Sequence, residues 1–164
     1  MAEIVSRHLG YKNTLTAYTA GLLHDIGKTV LNFHVRAYFE TISNAVKEHS
    51  IPFIEAEQRV LGIDHEQLGA LIARRWRFPA EVTVAIGNHH KPLEVKEHTN
   101  LTALVYAVNR MVSALGIGCG ADGFLQPNHD RVFVSLGINT QLADKFLVEL
   151  VEKFEETRQF LQSA

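Results

Sequence analysis

The sequence predicts an all-α fold, and three observations carry that prediction. Apolar residues recur at three- and four-residue spacing in one segment after another; no segment shows the period-two alternation of a half-buried strand; and residues that start or stop helices stand between the segments. The chain has 164 residues, 46% hydrophobic and 21% charged, which suits one globular domain over residues 1–164 with a sizeable core. Its 16 basic and 18 acidic residues are interspersed, so composition points to neither a nucleic-acid nor a membrane-surface partner. A single cysteine, Cys119, leaves no internal disulfide and agrees with a reducing, cytoplasmic setting. Neither a signal peptide nor a spanning helix is readable.

Taken in order, Ala2 to Leu9 reads as the end of a helix stopped by Gly10. Asn13 or Thr14 caps a helix running to Leu23, with Gly21 as a close-packing point, the His24-Asp25 pair in its last turn and Gly27 as an interruption. From Thr29 to about His49 the spacing of Val30, Leu31, Val35, Tyr38, Phe39, Ile42 and Val46 predicts an amphipathic helix, ended by Ser50-Ile51-Pro52. A short helix from Phe53 to Leu61 is closed by Gly62. Asp64 with Gln67 three residues on then forms a capping-box start, so His65 opens the next helix, through Leu68, Leu71, Ile72 and Trp76. Pro79 begins a helix to Gly87 as its first residue, placing His89 and His90 at its C-terminal end. Thr99 or Asn100 caps an apolar helix over Leu101 to Leu115. Residues 116–137, rich in glycine and turn formers with Val132-Phe133-Val134 as a brief apolar insertion, read as a loop with one short helix. The last helix, from about Gln141 to Leu161, carries Leu142, Phe146, Leu150, Phe154 and Leu161 down one side.

Chemistry concentrates in the histidines, of which there are nine. His8, His34, His49, His98 and His129 stand in polar or terminal surroundings and are expected on the surface. His24 with Asp25, His65, and His89 with His90 each fall at a helix terminus, and a bundle can bring helix termini to a common mouth. Imidazole and carboxylate are ligands for zinc, iron or manganese. Lys28, one turn after Asp25, could meet a phosphate as a point charge. A plainer reading stays open, in which these histidines complement helix dipoles and Asp25 caps a turn.

The runs AGLLHDIGKTVL and EAEQRVLGIDHEQLGALIARRWRFPAEVTVAIGNHHKP resemble the HDOD domain, a bacterial signalling relative of the HD phosphohydrolases and of the HD-GYP cyclic-dinucleotide phosphodiesterases. Glu57, Gly62, Asp64, His65, Gly69, Trp76, Pro79, Ile86, His89 and His90 match in order and spacing, and the resemblance spans about Ile4 to Leu115, with 116–164 as variable C-terminal helices. It implies a compact multi-helix bundle of HD-domain type and a role in signal transduction beside other signalling domains or proteins. It puts His24 and Asp25 on the family's metal-binding pair, and His65, His89 and His90 on the further ligand histidines. Two departures accompany it. The superfamily's first ligand histidine stands on a helix upstream of the His-Asp pair, and His8 is too close to His24 to be that residue, so the chain is expected to be part of a longer protein. A late family aspartate is matched by Asn109, an amide without the negative charge a second divalent cation wants. The chain also reads Lys91-Pro92-Leu93 where the phosphodiesterases carry a glycine-tyrosine-proline loop.

Three functional readings follow. The first is a non-enzymatic regulatory module with a degenerate metal pocket, structural or sensory. The second is a metal-dependent phosphohydrolase acting on a nucleotide or cyclic dinucleotide, with His24, Asp25, His65, His89 and His90 as ligands and Lys28 on the phosphate. The third is a sensor that binds a nucleotide without turnover. Self-association into a homo-oligomer is expected where apolar surface is left uncovered.

Overall fold

The structure, a computed structural model, describes residues 1–116 and 129–163. Its helices are α1 (Ala2–His8), α2 (Thr14–Leu23), α3 (Ile26–His34), α4 (Phe39–His49), α5 (Phe53–Leu61), α6 (His65–Arg75), α7 (Ala80–Gly87), α8 (Thr99–Ala114), α9 (His129–Ser135) and α10 (Thr140–Ser163). No strand occurs among the described residues. Residues 117–128, Cys119 included, lie outside them.

Side-chain caps explain several boundaries. The Thr16 N–H donates to Asn13 Oδ1 at 3.1 Å at the start of α2, and the Gln67 N–H donates to Asp64 Oδ1 at 2.8 Å at the start of α6. Gly62, at φ 73°, takes the left-handed conformation that closes α5. The centre of the fold is α8, where every residue from Leu101 to Val108 is buried. A helix buried on all sides must be covered all round. Around it lie α1, α2, α7, α9 and α10, while α6 packs on α7 and α3. The α4–α5 hairpin has a small core of its own around Ile42, Ile51 and Ala56.

Six boundaries or faces differ from the sequence reading. The segment from Thr29 to His49 is not one helix: α3 ends at His34, a 3-10 turn spans Arg36–Tyr38, and α4 starts at Phe39. The apolar spacing continues across the break because each half has its own partner, α6 for α3 and α5 for α4. The interruption expected at Gly27 falls at His24-Asp25, which separate α2 from α3. Pro79 is the N-cap of α7, with ψ 146°, and not its first residue; α8 is preceded by His98 at φ 55°, with Thr99 already helical. The apolar side of α10 is used only in its first half: Phe146 is fully buried, whereas Phe154 and Leu161 are exposed. Leu71 and Trp76, read as part of the apolar face of α6, are also exposed.

Gly27 serves close approach. A methyl group there would overlap the backbone carbonyl of His65, and a methyl on Gly87 would lie 2.9 Å from Ala70 Cβ. These contacts let α3 and α7 press against α6 backbone to side chain, which sets the distance between the His24-Asp25 break, His65 and the end of α7. Gly27→Ala is therefore expected to destabilise the protein by about 3 kcal/mol, as overpacking of a rigid contact does. Denaturant titration checks this, and a loss below about 0.5 kcal/mol, typical of a surface change, would contradict it.

Candidate metal centre

Three chain junctions supply the centre. The α2–α3 break presents His24 as the last residue against α2 and Asp25 as the N-cap of α3, with no side-chain cap bond to hold the Asp25 carboxylate to the helix. The start of α6 presents His65, and the turn after α7 presents His89 and His90. Donor atoms of Asp25, His65, His89 and His90 all lie within 4.8 Å of one another. His65 and His89 are fully buried, Asp25 and His90 partly so.

Hydrogen bonds to the outer ring nitrogens fix how these imidazoles face inward. The His24 Nδ1–H donates to Gly21 O at 2.8 Å, and the His89 Nδ1–H donates to Ile86 O at 2.8 Å. A carbonyl only accepts, so in the neutral ring each Nε2 carries a lone pair. His65 Nδ1 meets Glu57 Oε2 at 2.5 Å, and the backbone N–H of His65 donates to the same oxygen at 3.0 Å. His65 Nε2 and His90 Nε2 lie 3.0 Å apart. Asp25 Oδ1 stands 3.4 Å from His89 Nε2 and 3.8 Å from His65 Nε2, and Asp25 Oδ2 stands 3.4 Å from His24 Nε2. His24 Nε2, His89 Nε2 and Asp25 Oδ1 are buried without a hydrogen-bond partner. Leaving such groups unsatisfied costs about 1–3 kcal/mol each. Imidazole lone pairs and a carboxylate oxygen aimed at one another form the donor set that a borderline cation satisfies.

Charge follows the same geometry. Burial pushes the His24 and His89 imidazoles below their ordinary range, helped by His89 beside His24 and by His65 beside His89, against the opposing pull of Asp25. Burial acts to raise Asp25, but the contacts with His89, His24 and Lys28 outweigh it and hold the carboxyl well below the usual carboxylate range. Lys28 Nζ donates to Asp25 Oδ2 at 3.1 Å. Burial pushes Glu66 up to about 8, aided by Asp64 and Asp25 and opposed by the His90 N–H and Lys91. The His90 N–H donates to Glu66 Oε1 at 2.6 Å, and His89 Nδ1 lies 3.6 Å from the same oxygen.

Of the residues singled out in the sequence, Asp25, His65, His89 and His90 come together. His24 borders them, its ring edge-on to His89 at 4.9 Å between centroids. Lys28 reaches the cluster through Asp25. Asn109 is half-buried on α8. His34, His49 and His98 are exposed; His8 is also on the surface, 3.4 Å from Glu149 and stacked at a tilt on Phe146. The side chain of His129 lies outside the described residues. Sequence reasoning gave no role to Glu57 and Glu66, two buried carboxylates that hold the histidines. The available signal was an acidic residue beside each apolar face, at Glu57 within α5 and at Glu66 next to His65.

The family model of the HDOD domain matches residues 1–92. Two solved structures with 26% identity are similar: an HDOD domain protein of unknown function from Geobacter sulfurreducens, TM-score 0.74 over 96% of this chain and 56% of that one, and a candidate signal transduction protein from Marinobacter aquaeolei VT8, TM-score 0.78 over 97% and 35%. A candidate phosphohydrolase from Shewanella amazonensis SB2B shares the fold at 22% identity, TM-score 0.69, over 91% of this chain and 55% of that one. An uncharacterized protein of Treponema pallidum (strain Nichols) is 27% identical over 100 residues, 60% of this chain and 20% of its own length. The chain thus spans between a fifth and rather more than half of the proteins it matches.

For the metal-free protein a pH dependence follows. His24 and His89 titrate lower in the fold than the unfolded value of 6.5, so the unfolded chain takes up more protons below that pH. Their contribution to stability is complete above about 6.5 and declines as pH falls. Glu66, raised from 4.5 to about 8, acts in the opposite sense, its contribution declining as pH rises across that window. Thermal melts across pH 5 to 8 should therefore show a shallower acid loss in His89→Gln and a steeper one in Glu66→Gln than in wild type. Parallel profiles for all three would contradict the assignment.

Proposed function

The chain belongs to the HDOD domain family, and from that premise we propose that it is a non-enzymatic signal-transduction module whose buried centre holds one divalent metal ion, iron, manganese or zinc. The ligands are Asp25, His65, His89 and His90. The observation that supports this reading is the pair of buried, unpartnered acceptors His89 Nε2 and Asp25 Oδ1, in a cluster where four donors lie within 4.8 Å and which His24 Nε2 borders 3.4 Å from Asp25 Oδ2. One carboxylate and three imidazoles suit one ion. Phosphodiester cleavage by paired metals calls for further anionic ligands, and Asn109 stands where the resemblance puts one of them. The ion ties the α2–α3 break, the start of α6 and the end of α7 together, so metal loading is coupled to the packing of three helices. That coupling is what a signalling module can pass to an adjoining domain or partner protein, or to a second copy of itself.

Lys28 favours a second reading, a phosphohydrolase of a nucleotide or cyclic dinucleotide. Its half-buried ammonium lies 3.1 Å from Asp25, beside the centre, where it would meet a phosphate. Bound metal supplies Lewis acidity to a phosphoryl oxygen. Binding of a nucleotide without turnover would instead support a sensor.

Elemental analysis of the purified protein tests the proposal. Wild type is expected to carry close to one ion per chain and Asp25→Ala and His89→Ala well under a tenth of that, with both variants folded by circular dichroism. The expected activity on cyclic dinucleotides and nucleotides, with manganese or iron added, is none above background. Metal-free wild type after exposure to all three metals would overturn the metal centre, and turnover lost in His89→Ala would overturn the non-enzymatic reading in favour of the second.

A further inference from the structure

We propose that Glu57 is the positioning residue of the centre: by accepting both N–H groups of His65 on one oxygen, it fixes the ring's tautomer and aims Nε2 inward. The inference rests on the metal-binding reading for its second arm only. Glu57 lies on α5, a helix that gives no donor to the cluster, and its side chain is only 2% exposed. A carboxylate is rarely buried to that degree without a partner. Here the partner is specific. Oε2 receives the backbone N–H of His65 at 3.0 Å and stands 2.5 Å from Nδ1. His65 is the first residue of α6, whose opening N–H groups have no partner within the helix, so the same oxygen satisfies a helix-terminal donor and the ring. With Oε2 as the acceptor, the hydrogen is on Nδ1 and the lone pair on Nε2, the atom 3.0 Å from His90 Nε2 and 3.8 Å from Asp25 Oδ1.

Two neighbouring rings have their outer nitrogens fixed by backbone carbonyls, Gly21 O for His24 and Ile86 O for His89. His65 is the first residue of its helix, and there a side chain from another helix faces the outer nitrogen. Outer carboxylates of this kind fix ring orientation and raise ligand basicity. Glu57 also joins the α4–α5 hairpin, which otherwise packs around its own small core, to the centre.

Two measurements on the intact chain test this. Nitrogen-15 NMR of the metal-stripped protein above the histidine range reads the tautomer directly. Wild type and Glu57→Gln should show His65 with Nδ1 protonated, and Glu57→Ala should show averaged or inverted nitrogen shifts. Zinc titration by calorimetry should give a Kd about 10-fold weaker in Glu57→Gln and up to about 100-fold weaker in Glu57→Ala. A purely helix-capping Glu57 would lower the melting temperature of both variants and leave tautomer and zinc affinity unchanged, and that result overturns the proposal. If Glu57→Ala does not fold, Glu57→Gln decides: an unchanged Kd overturns the proposal. Should wild type take up no zinc, the metal reading fails, and the tautomer of His65 in the folded variants alone decides the role of Glu57.

Discussion

Asp25 Oδ1 and the imidazole nitrogens of His65 and His89 face one another inside the protein at 3.4–3.8 Å, with no hydrogen bond satisfying Asp25 Oδ1 or His89 Nε2. Water would quench this arrangement on the surface; burial makes it expensive. Much of the surrounding structure is comprehensible as what is needed to keep these atoms in place. The backbone leaves its helical course at His24-Asp25, and the carboxylate makes no cap hydrogen bond to the backbone of α3. Lys28, one turn on, holds the second oxygen. Carbonyls at Gly21 and Ile86 and the Glu57 carboxylate each take the outer N–H of a ring, leaving the inner nitrogens nothing to donate.

Packing supplies the distances. Gly27 lets α3 approach the first residue of α6 at backbone contact, and Gly87 lets α7 press on Ala70. Behind them α8, buried over Leu101 to Val108, gives α7 and α2 a common floor. The centre therefore depends on helix–helix spacing, and the spacing would in turn respond to a cation that draws the donors together. On the proposed reading this reciprocity is what would connect the geometry to signalling, since a partner that binds one packing state would bias metal affinity by the same factor.

Much of this was legible in the sequence, and the gaps have physical causes. The His-Asp pair, His65 and the double histidine could be placed at helix ends because Asn13, Asp64, Gly62 and Pro92 are local signals acting within a turn. Whether those ends meet is a question of tertiary packing, and only the resemblance addressed it. The 3-10 break at Arg36–Tyr38 escaped because apolar spacing runs through it without change; the two halves bury their faces on different partners. Gly27 was read as a breaker when its lack of a side chain serves contact with another helix, something no local rule contains. The roles of Glu57, which the resemblance matched without assigning it one, and of Glu66 escaped because a lone acidic residue in an amphipathic helix ordinarily faces water, and their partners are 8 and 24 residues away in sequence. The apolar stripe of α10 predicted more burial than occurs, since periodicity describes a face and not what covers it.

The central claim is that four side chains from three junctions converge on a single cation. Anomalous diffraction at the metal edge, from crystals of the protein as purified, tests it most directly. The account predicts one peak per chain within bonding distance of Asp25, His65, His89 and His90. No peak there, or a peak held by other residues, would contradict it.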